Sequence, residues 1–308
     1  MANGFFDPAS PQAQAIYDLF LGTCVLLAVI FLIVTVGTTW MVARFRATGP
    51  DDPEPPQIHG HRGLELTWTL IPLAIVTVLT VLTAGTILRT HPEPTQAPDV
   101  EIIGHQWWWE VRYSPSGLIT ANEVHVPVGR KTLIKLATAD VIHDFWVPAL
   151  GPKEDTTPGE NSYLWIEPSR AGVYQGACAE FCGNQHAWML TRVIADDPAT
   201  FQAWIKAETS APPLPPEASK GQQLFATLAC VNCHRGPGMA TGPTAGPDLT
   251  WVGARQTLGA GVLQNSPGAL ARWLQDPQSI KPQCQMPDFH LTPGQVAELT
   301  AYLWRTHS

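Results

Sequence analysis

Two uninterrupted apolar runs dominate the first third of the chain. Leu19 to Val42 is 24 residues without a charge, and Leu66 to Leu88 is 23. At a rise of ~1.5 Å per residue each exceeds a hydrocarbon core of ~30 Å, which predicts two transmembrane helices. The first run is not a cleaved signal: it is too long for an h-region, and Arg44 and Arg46 follow it rather than precede it. Past Leu88 the pattern becomes that of short strands. Val100–Val111, Glu123–Val128, Lys131–Ala137 and Tyr163–Ile166 are runs of β-branched and aromatic residues punctuated by Gly and Pro, which predict a sandwich or barrel. The last third changes again, to helical periodicity over Ser219–Leu228, Gly268–Leu274 and Pro293–Arg305. Ser219 and Thr292 are candidate N-caps, the latter followed by Pro293 at the first helical position. Ala211–Glu217, A-P-P-L-P-P-E, is a stiff spacer between the two patterns. The resulting segments are 1–95 with the two spans, 96–210, the linker 211–217, and 218–308.

Charge sets the orientation. The loop between the spans, 43–65, carries Arg44, Arg46 and Arg62, whereas no Lys or Arg precedes Leu19. The positive-inside bias puts that loop in the cytoplasm and both chain ends outside, together with everything after Leu88. Net charge is −8, with only 14% charged residues in 308. Such a chain is too apolar for a disordered protein, lacks the basic excess of a nucleic-acid binder, and has too few Cys, six, for a disulfide scaffold.

Two motifs carry chemistry. Cys178 to Met189 reads C-A-E-F-C-G-N-Q-H-A-W-M. Two Cys alone would form a disulfide outside the cytoplasm. With His186 and Met189 added, the thiolate, imidazole and thioether set selects copper, and Met disfavours zinc. His143, 35 residues upstream in D-V-I-H-D-F-W-V-P, is a second imidazole, expected where a strand ends. The other motif is Cys230-Val-Asn-Cys-His234, the pattern of covalent haem c attachment. Met286 follows His234 by 52 residues, enough chain to reach the opposite haem face, whereas Met239 follows by only five. Cys24 reads as a membrane-span residue and Cys284 as a buried free thiol.

Gly104-His-Gln-Trp-Trp-Trp109, Asp140-Val-Ile-His-Asp-Phe-Trp-Val-Pro148 and the Cys178–Met189 loop resemble subunit II of haem–copper cytochrome c oxidases. Leu64–Pro72, L-E-L-T-W-T-L-I-P, resembles the start of that subunit's second span, and the tail resembles bacterial forms with a fused cytochrome c. The resemblance covers roughly residues 15–205 and implies a multidomain membrane protein: a two-helix transmembrane hairpin, a Greek-key β-barrel of cupredoxin type, and an all-α cytochrome c domain. It implies dinuclear copper, CuA, with Cys178 and Cys182 bridging both metals and His143 and His186 binding one each. Met189 and the Glu180 carbonyl would be weak outer ligands. The Glu180 side chain would bind Mg shared with subunit I. Cys230 and Cys233 would hold haem c, with His234 and Met286 axial. Trp107 matches the aromatic residue where electrons enter, and Glu65 a carboxylate at the mouth of a proton pathway, which would otherwise be a solvated group beside Arg62. Pro247 matches a Pro packed near the haem ligand.

The implied partners are oxidase subunits I and III, membrane lipid, and a donor cytochrome c or respiratory complex, with no nucleic acid. The implied place is the bacterial cytoplasmic membrane, with the copper and haem domains on the outer face. Asp144 stands where Ser is common, Glu160 where a basic residue is common, and Trp108 where Tyr is common; none is a copper ligand. The leading reading is the subunit through which electrons enter a terminal oxidase. The small subunit of a CuA-containing nitric oxide reductase and a membrane-tethered copper-delivery protein are the alternatives.

Overall fold

A computed structural model describes residues 4–47, 49, 54, 56–91, 96–210, 214, 216–243 and 245–304. Most of the expected Pro-rich linker (211–213 and 215) and Arg305, the expected end of the last helix, lie outside the described residues. The chain divides into two compact units, residues 15–89 and residues 1–14 with 90–308.

The first unit is built on two helices, α1 (Pro11–Arg44) and α2 (Arg62–Thr90), both long and apolar enough to cross a membrane. Each runs several residues past its apolar stretch. Apolar residues lie all round both helices, which is the signature of a helix meant for lipid or for partner helices rather than for water. His61 caps α2: its Nδ1 accepts from Leu64 N at 3.2 Å, and the Glu65 carboxylate reaches back to His61 N at 3.0 Å. Glu65 thus satisfies an orphan amide at the helix start.

In the second unit the strand pattern closes into two five-stranded sheets. The first has the order β3 (Ile119–Ala121), β2 (Trp108–Tyr113), β1 (Val100–His105), β5 (Thr132–Thr138), β8 (Ser162–Ile166). The second runs β4 (Glu123–Pro127), β10 (Leu190–Asp196), β9 (Gly172–Cys178), β6 (His143–Trp146), β7 (Glu154–Thr156). The expected run Val100–Val111 is two strands, because the chain turns at Gln106–Trp107 and pairs with itself, His105 opposite Trp108. Inward residues of both sheets, among them Ile102, Trp109, Ile134, Leu136, Phe145 and Tyr174, form one buried core. Residues 7–10 are tied to this barrel, with Ala9 N on Ala149 O at 2.7 Å and Ser10 Oγ on Leu150 O at 2.7 Å. Helix α3 (Pro198–Thr209) follows β10, and its Trp204 ring stacks on His125 at 3.9 Å.

The tail is helical, as its periodicity predicts. Helix α4 (Ser219–Thr227), α5 (Pro267–Gln275), the short α6 (Pro277–Ile280) and α7 (Pro293–Leu303) surround a second core. A two-residue hairpin, β11 (Thr257–Leu258) with β12 (Leu263–Gln264), is the addition. The cap of α4 is Ala218, without a side-chain bond, so Ser219 is the first helical residue and not the cap. Thr292 does cap α7. Its hydroxyl accepts from Gln295 N while the Gln295 side chain accepts from Thr292 N, a reciprocal capping box ahead of Pro293. Thr292→Ala should therefore cost about 1 kcal/mol, read as a lower denaturant midpoint for loss of the tail's helical signal. Thr292→Ser should stay near wild type.

Candidate metal centre and haem cavity

Strand pairing brings the soft donors together. Cys178 ends β9 and Leu190 opens β10, and the two strands are antiparallel neighbours. The twelve-residue loop is thus a hairpin connection, closed by the bond from Cys178 N to Met189 O at 2.9 Å. On the other side β6 pairs with β9, Phe145 opposite Cys178, which carries His143 to the same end of the sheet. His143 opens β6; it does not sit where a strand ends, as the sequence suggests. A single turn of 3-10 helix, His186–Trp188, aims His186 back at the thiols.

The result is a tight cluster. The two Sγ atoms are 3.7 Å apart, beyond a disulfide bond of ~2.05 Å, and both thiols are free. His143 Nδ1 lies 3.9 Å from Cys178 Sγ, and His186 Nδ1 lies 3.7 Å from Cys182 Sγ. Met189 Sδ is 3.9 Å from Cys182 Sγ, and the Glu180 carbonyl is 3.2 Å from Cys178 Sγ. His143, Cys178, Cys182 and Met189 are all buried. The Glu180 side chain, by contrast, is exposed. The two thiols are coupled across this contact, which holds Cys178 down at about 3 and pushes Cys182 up, so that of the two it is Cys182 that keeps its proton. Metal uptake by both thiolates would release that proton.

A second ring of bonds holds these donors. His143 Nε2 meets Asp140 Oδ1 at 2.8 Å, which leaves Nδ1 facing the thiols. Burial pushes the Asp140 carboxyl up, but His143 and the amides of Gln106 and Val141 outweigh it and hold the group below its ordinary value. Gln106 Nε2 and Trp107 Nε1 both donate to the Cys182 carbonyl, at 2.7 and 3.0 Å. Gly104 lies against the His143 ring; a Cβ there would come within 2.6 Å of Cδ2, so no larger residue fits.

The haem motif follows α4. His234 N bonds Cys230 O at 3.0 Å, folding Cys230, Cys233 and His234 around one turn. His234 Nδ1 lies 2.7 Å from the Pro247 carbonyl and so carries the proton, leaving Nε2 its lone pair. Burial pushes this imidazole's pKa down and keeps it neutral. Gly246 packs on the same ring, where a Cβ would sit 2.4 Å from Cε1. A cavity of about 290 Å³ opens in front, lined by Cys230, Cys233, His234 and Met286. Met239 is not among the lining residues; its Sδ accepts from Gly236 N at 3.3 Å. Cys284 is half-buried and also lines the cavity. So does Arg255, whose Nε has no partner among the described residues.

The cavity has a wall the sequence does not announce. Gln106, Trp107, Trp108 and Asn122 of the barrel line it as well. The turn that holds the Cys182 carbonyl on one side therefore faces the haem cavity on the other.

The family model for the transmembrane domain of cytochrome c oxidase subunit II matches residues 1–84, that for its periplasmic domain matches 114–195, and that for cytochrome c matches 218–307. Cytochrome c oxidase subunit 2 of Alkalihalophilus pseudofirmus is 37% identical, over 96% of this chain and 89% of the relative. The chain belongs to the cytochrome c oxidase subunit II family. The Bacillus subtilis subunit 2 is 32% identical over 91% of the chain and 84% of its own length. Quinol oxidase subunit 2 of Bacillus cereus is 29% identical over 68% of this chain and 74% of its own. Among solved structures, the periplasmic domain of subunit II of the Bradyrhizobium japonicum oxidase is 28% identical, covers 36% of this chain and 94% of that one, and has a TM-score of 0.35.

This subunit II is thus a membrane protein with two apolar helices, a cupredoxin-like β domain and a helical cytochrome c domain. It is part of an oxidoreductase, a haem–copper oxidase, and its β domain and helical domain are those of CuA copper and of haem c. The residues present fit both groups: soft donors converge within bonding reach of shared metals, and a neutral His backs onto an apolar cavity beside two thiols. Sequence reading misses Gln106, Asp140 and Arg255; the first two flank motifs that are themselves visible, and the third carries no signal. Met286→Ala should leave haem attached through Cys230 and Cys233 while lowering its potential and removing the sulfur-ligand absorption band. Met239→Ala should change neither.

Proposed function

We propose that this subunit takes electrons from a donor cytochrome c or respiratory complex at haem c. From there they pass to dinuclear CuA and on to subunit I, where O2 is reduced to water with proton pumping. The observation that carries this reading is the shared turn: Gln106 and Trp107 bond the Cys182 carbonyl and also line the haem cavity. When bound, the copper pair and the haem supply reversible one-electron transfer.

The chain's own residues hold these groups with little freedom to move. Cys178, Cys182, His143 and His186 would hold the two coppers, with Met189 and the Glu180 carbonyl as weaker donors. Asp140 fixes the His143 tautomer, and the two donors on the Cys182 carbonyl stiffen the loop between the thiols. Cys230 and Cys233 would attach haem c, and His234 and Met286 would hold its iron. Arg255, half-buried and with an Nε that has no partner among the described residues, suits an acidic edge of the porphyrin. Trp107 is where electrons enter the copper domain. The exposed Glu180 carboxylate suits Mg at the boundary with subunit I.

The loop arginines Arg44, Arg46 and Arg62 support an orientation with both termini and both redox domains on the outer face of the bacterial membrane. Lipid and the helices of subunits I and III would cover the apolar faces of α1 and α2. Burial of the thiols argues against a copper-delivery protein, which needs an exposed, labile site. Relatives named cytochrome c oxidase favour oxygen over nitric oxide as the substrate.

Glu65 opens a proton pathway in this reading. Its carboxylate caps α2 through His61 N, which holds it at the helix mouth. Two substitutions test the reading. Cys182→Ser should lose the delocalised two-copper EPR signal and lower copper content, whereas a variant retaining both would overturn the copper assignment. Glu65→Gln should slow steady-state oxygen uptake while leaving reduction of haem c and copper by the donor intact. Uptake equal to wild type from neutral to alkaline pH would remove Glu65 from the proton pathway.

A further inference from the structure

Glu123 is a buried carboxylate at the first residue of β4, an edge strand of the copper barrel. Such a group is tolerated only when its oxygens are satisfied. Each hydrogen bond recorded for them comes from the cytochrome c domain. Gln256 N donates to Oε2 at 2.9 Å, and Thr257 N and Thr257 Oγ1 donate to Oε1 at 2.8 and 2.9 Å. Hydrogen bonds to a charged acceptor are the strong kind, and three converge here.

The segment so held is part of the haem cavity. Thr257, Leu258, Gly259 and Ala260 all line it. Around the carboxylate the contact continues. Arg192 Nη1 bonds Gln256 Oε1 at 3.3 Å, Leu190 N bonds Ala260 O at 3.1 Å, and Trp108 packs with Ala121 and Ala260 in a buried cluster. Lys281 Nζ spans the join, donating to Trp107 O and Gly259 O at 3.2 Å each. Every one of these contacts crosses from barrel to cytochrome domain or supports one that does. None lies in the copper or haem motifs.

We propose that Glu123 is a positioning residue that locks the cytochrome c domain onto the copper barrel, with its haem cavity held against Trp107 and Trp108. The domain then works as a fixed relay and not as a carrier swinging on its linker. An external donor meets the cytochrome domain, since the cavity-facing side of Trp107 is already occupied by the chain's own tail. This inference rests on the proposed route from haem c to copper.

The test uses the purified, fully loaded oxidase. Glu123→Gln keeps the shape but loses the charge and puts an amide N–H2 where one donor must be accepted. Amide hydrogen exchange at Gln256 and Thr257 should quicken about tenfold or more, the equivalent of losing about 1.4 kcal/mol of docking free energy. After flash reduction of haem c, a slow phase of copper reduction should appear, while the haem potential and copper EPR signal stay as in wild type. Thr257→Val, which removes only the hydroxyl bond, should show the same pattern more weakly, and it carries the test if Glu123→Gln fails to assemble. Unchanged exchange and unchanged copper reduction in the variant would overturn the lock. If copper in the wild-type oxidase is reduced without haem c, the route itself falls, and hydrogen exchange alone then decides the role of Glu123.

Discussion

The carbonyl of Cys182 is the atom on which the rest of the β and cytochrome domains turns. It belongs to the loop whose two thiols face each other at 3.7 Å. Two side chains from a turn in the other sheet, Gln106 and Trp107, donate to this one oxygen. Gln106 N also donates to Asp140 Oδ2, and Asp140 orients His143. One turn therefore sets the position of a thiol and the tautomer of an imidazole that arrive from different strands. An arrangement held this way can exist before metal arrives. A site that is organised beforehand changes little when one electron is added or removed, since its ligands have nowhere to relax.

Two of the candidate ligand histidines are held by one device used twice. His143 backs onto Gly104 and His234 backs onto Gly246, and in each case a single methyl would collide with the ring. Each ring then gives one nitrogen to a fixed oxygen, Asp140 Oδ1 or Pro247 O, which leaves the other for the thiols in His143 and for the cavity in His234. The oxygens differ in charge, and the consequences differ too. Burial pushes the His143 pKa down, but Cys178 and Asp140 together raise it. His234, bonded to a neutral carbonyl and with Arg255 and Asp248 acting in opposite directions nearby, keeps the depression that burial imposes.

What was readable in advance follows sequence distance. The copper loop and the haem motif are contiguous, so residue type and spacing carried them, and two long uncharged runs carried the membrane hairpin. Four strands of the second sheet, β6, β7, β9 and β10, were not read as strands. They hold His143, Glu154, Asp155, Gln175 and Arg192, polar residues that break the alternation on which strand reading depends. His143 is expected where a strand ends, yet it opens β6. The join between Glu123 and Gln256–Thr257 links residues more than 130 positions apart and has no local pattern at all.

Trp108 shows how a departure from the family's pattern can belong to the fused tail. Its indole is buried between Ala121 of the barrel and Ala260 of the cytochrome domain. From behind, the His105 ring stacks on it at 4.3 Å and 11°. His105 in turn bonds the buried Glu110 at 3.0 Å, and Arg112 Nε bonds the other oxygen of that carboxylate at 2.5 Å. Burial pushes the Glu110 carboxyl up, but these two partners hold it below its ordinary value, so the charge persists. The charged pair fixes the imidazole, the imidazole fixes the indole, and the indole fills the gap between two alanines. A smaller ring would leave part of that gap empty, and a phenol hydroxyl would need a partner where the two alanines supply none. The larger, flat side chain fits a surface that the chain's own cytochrome domain covers.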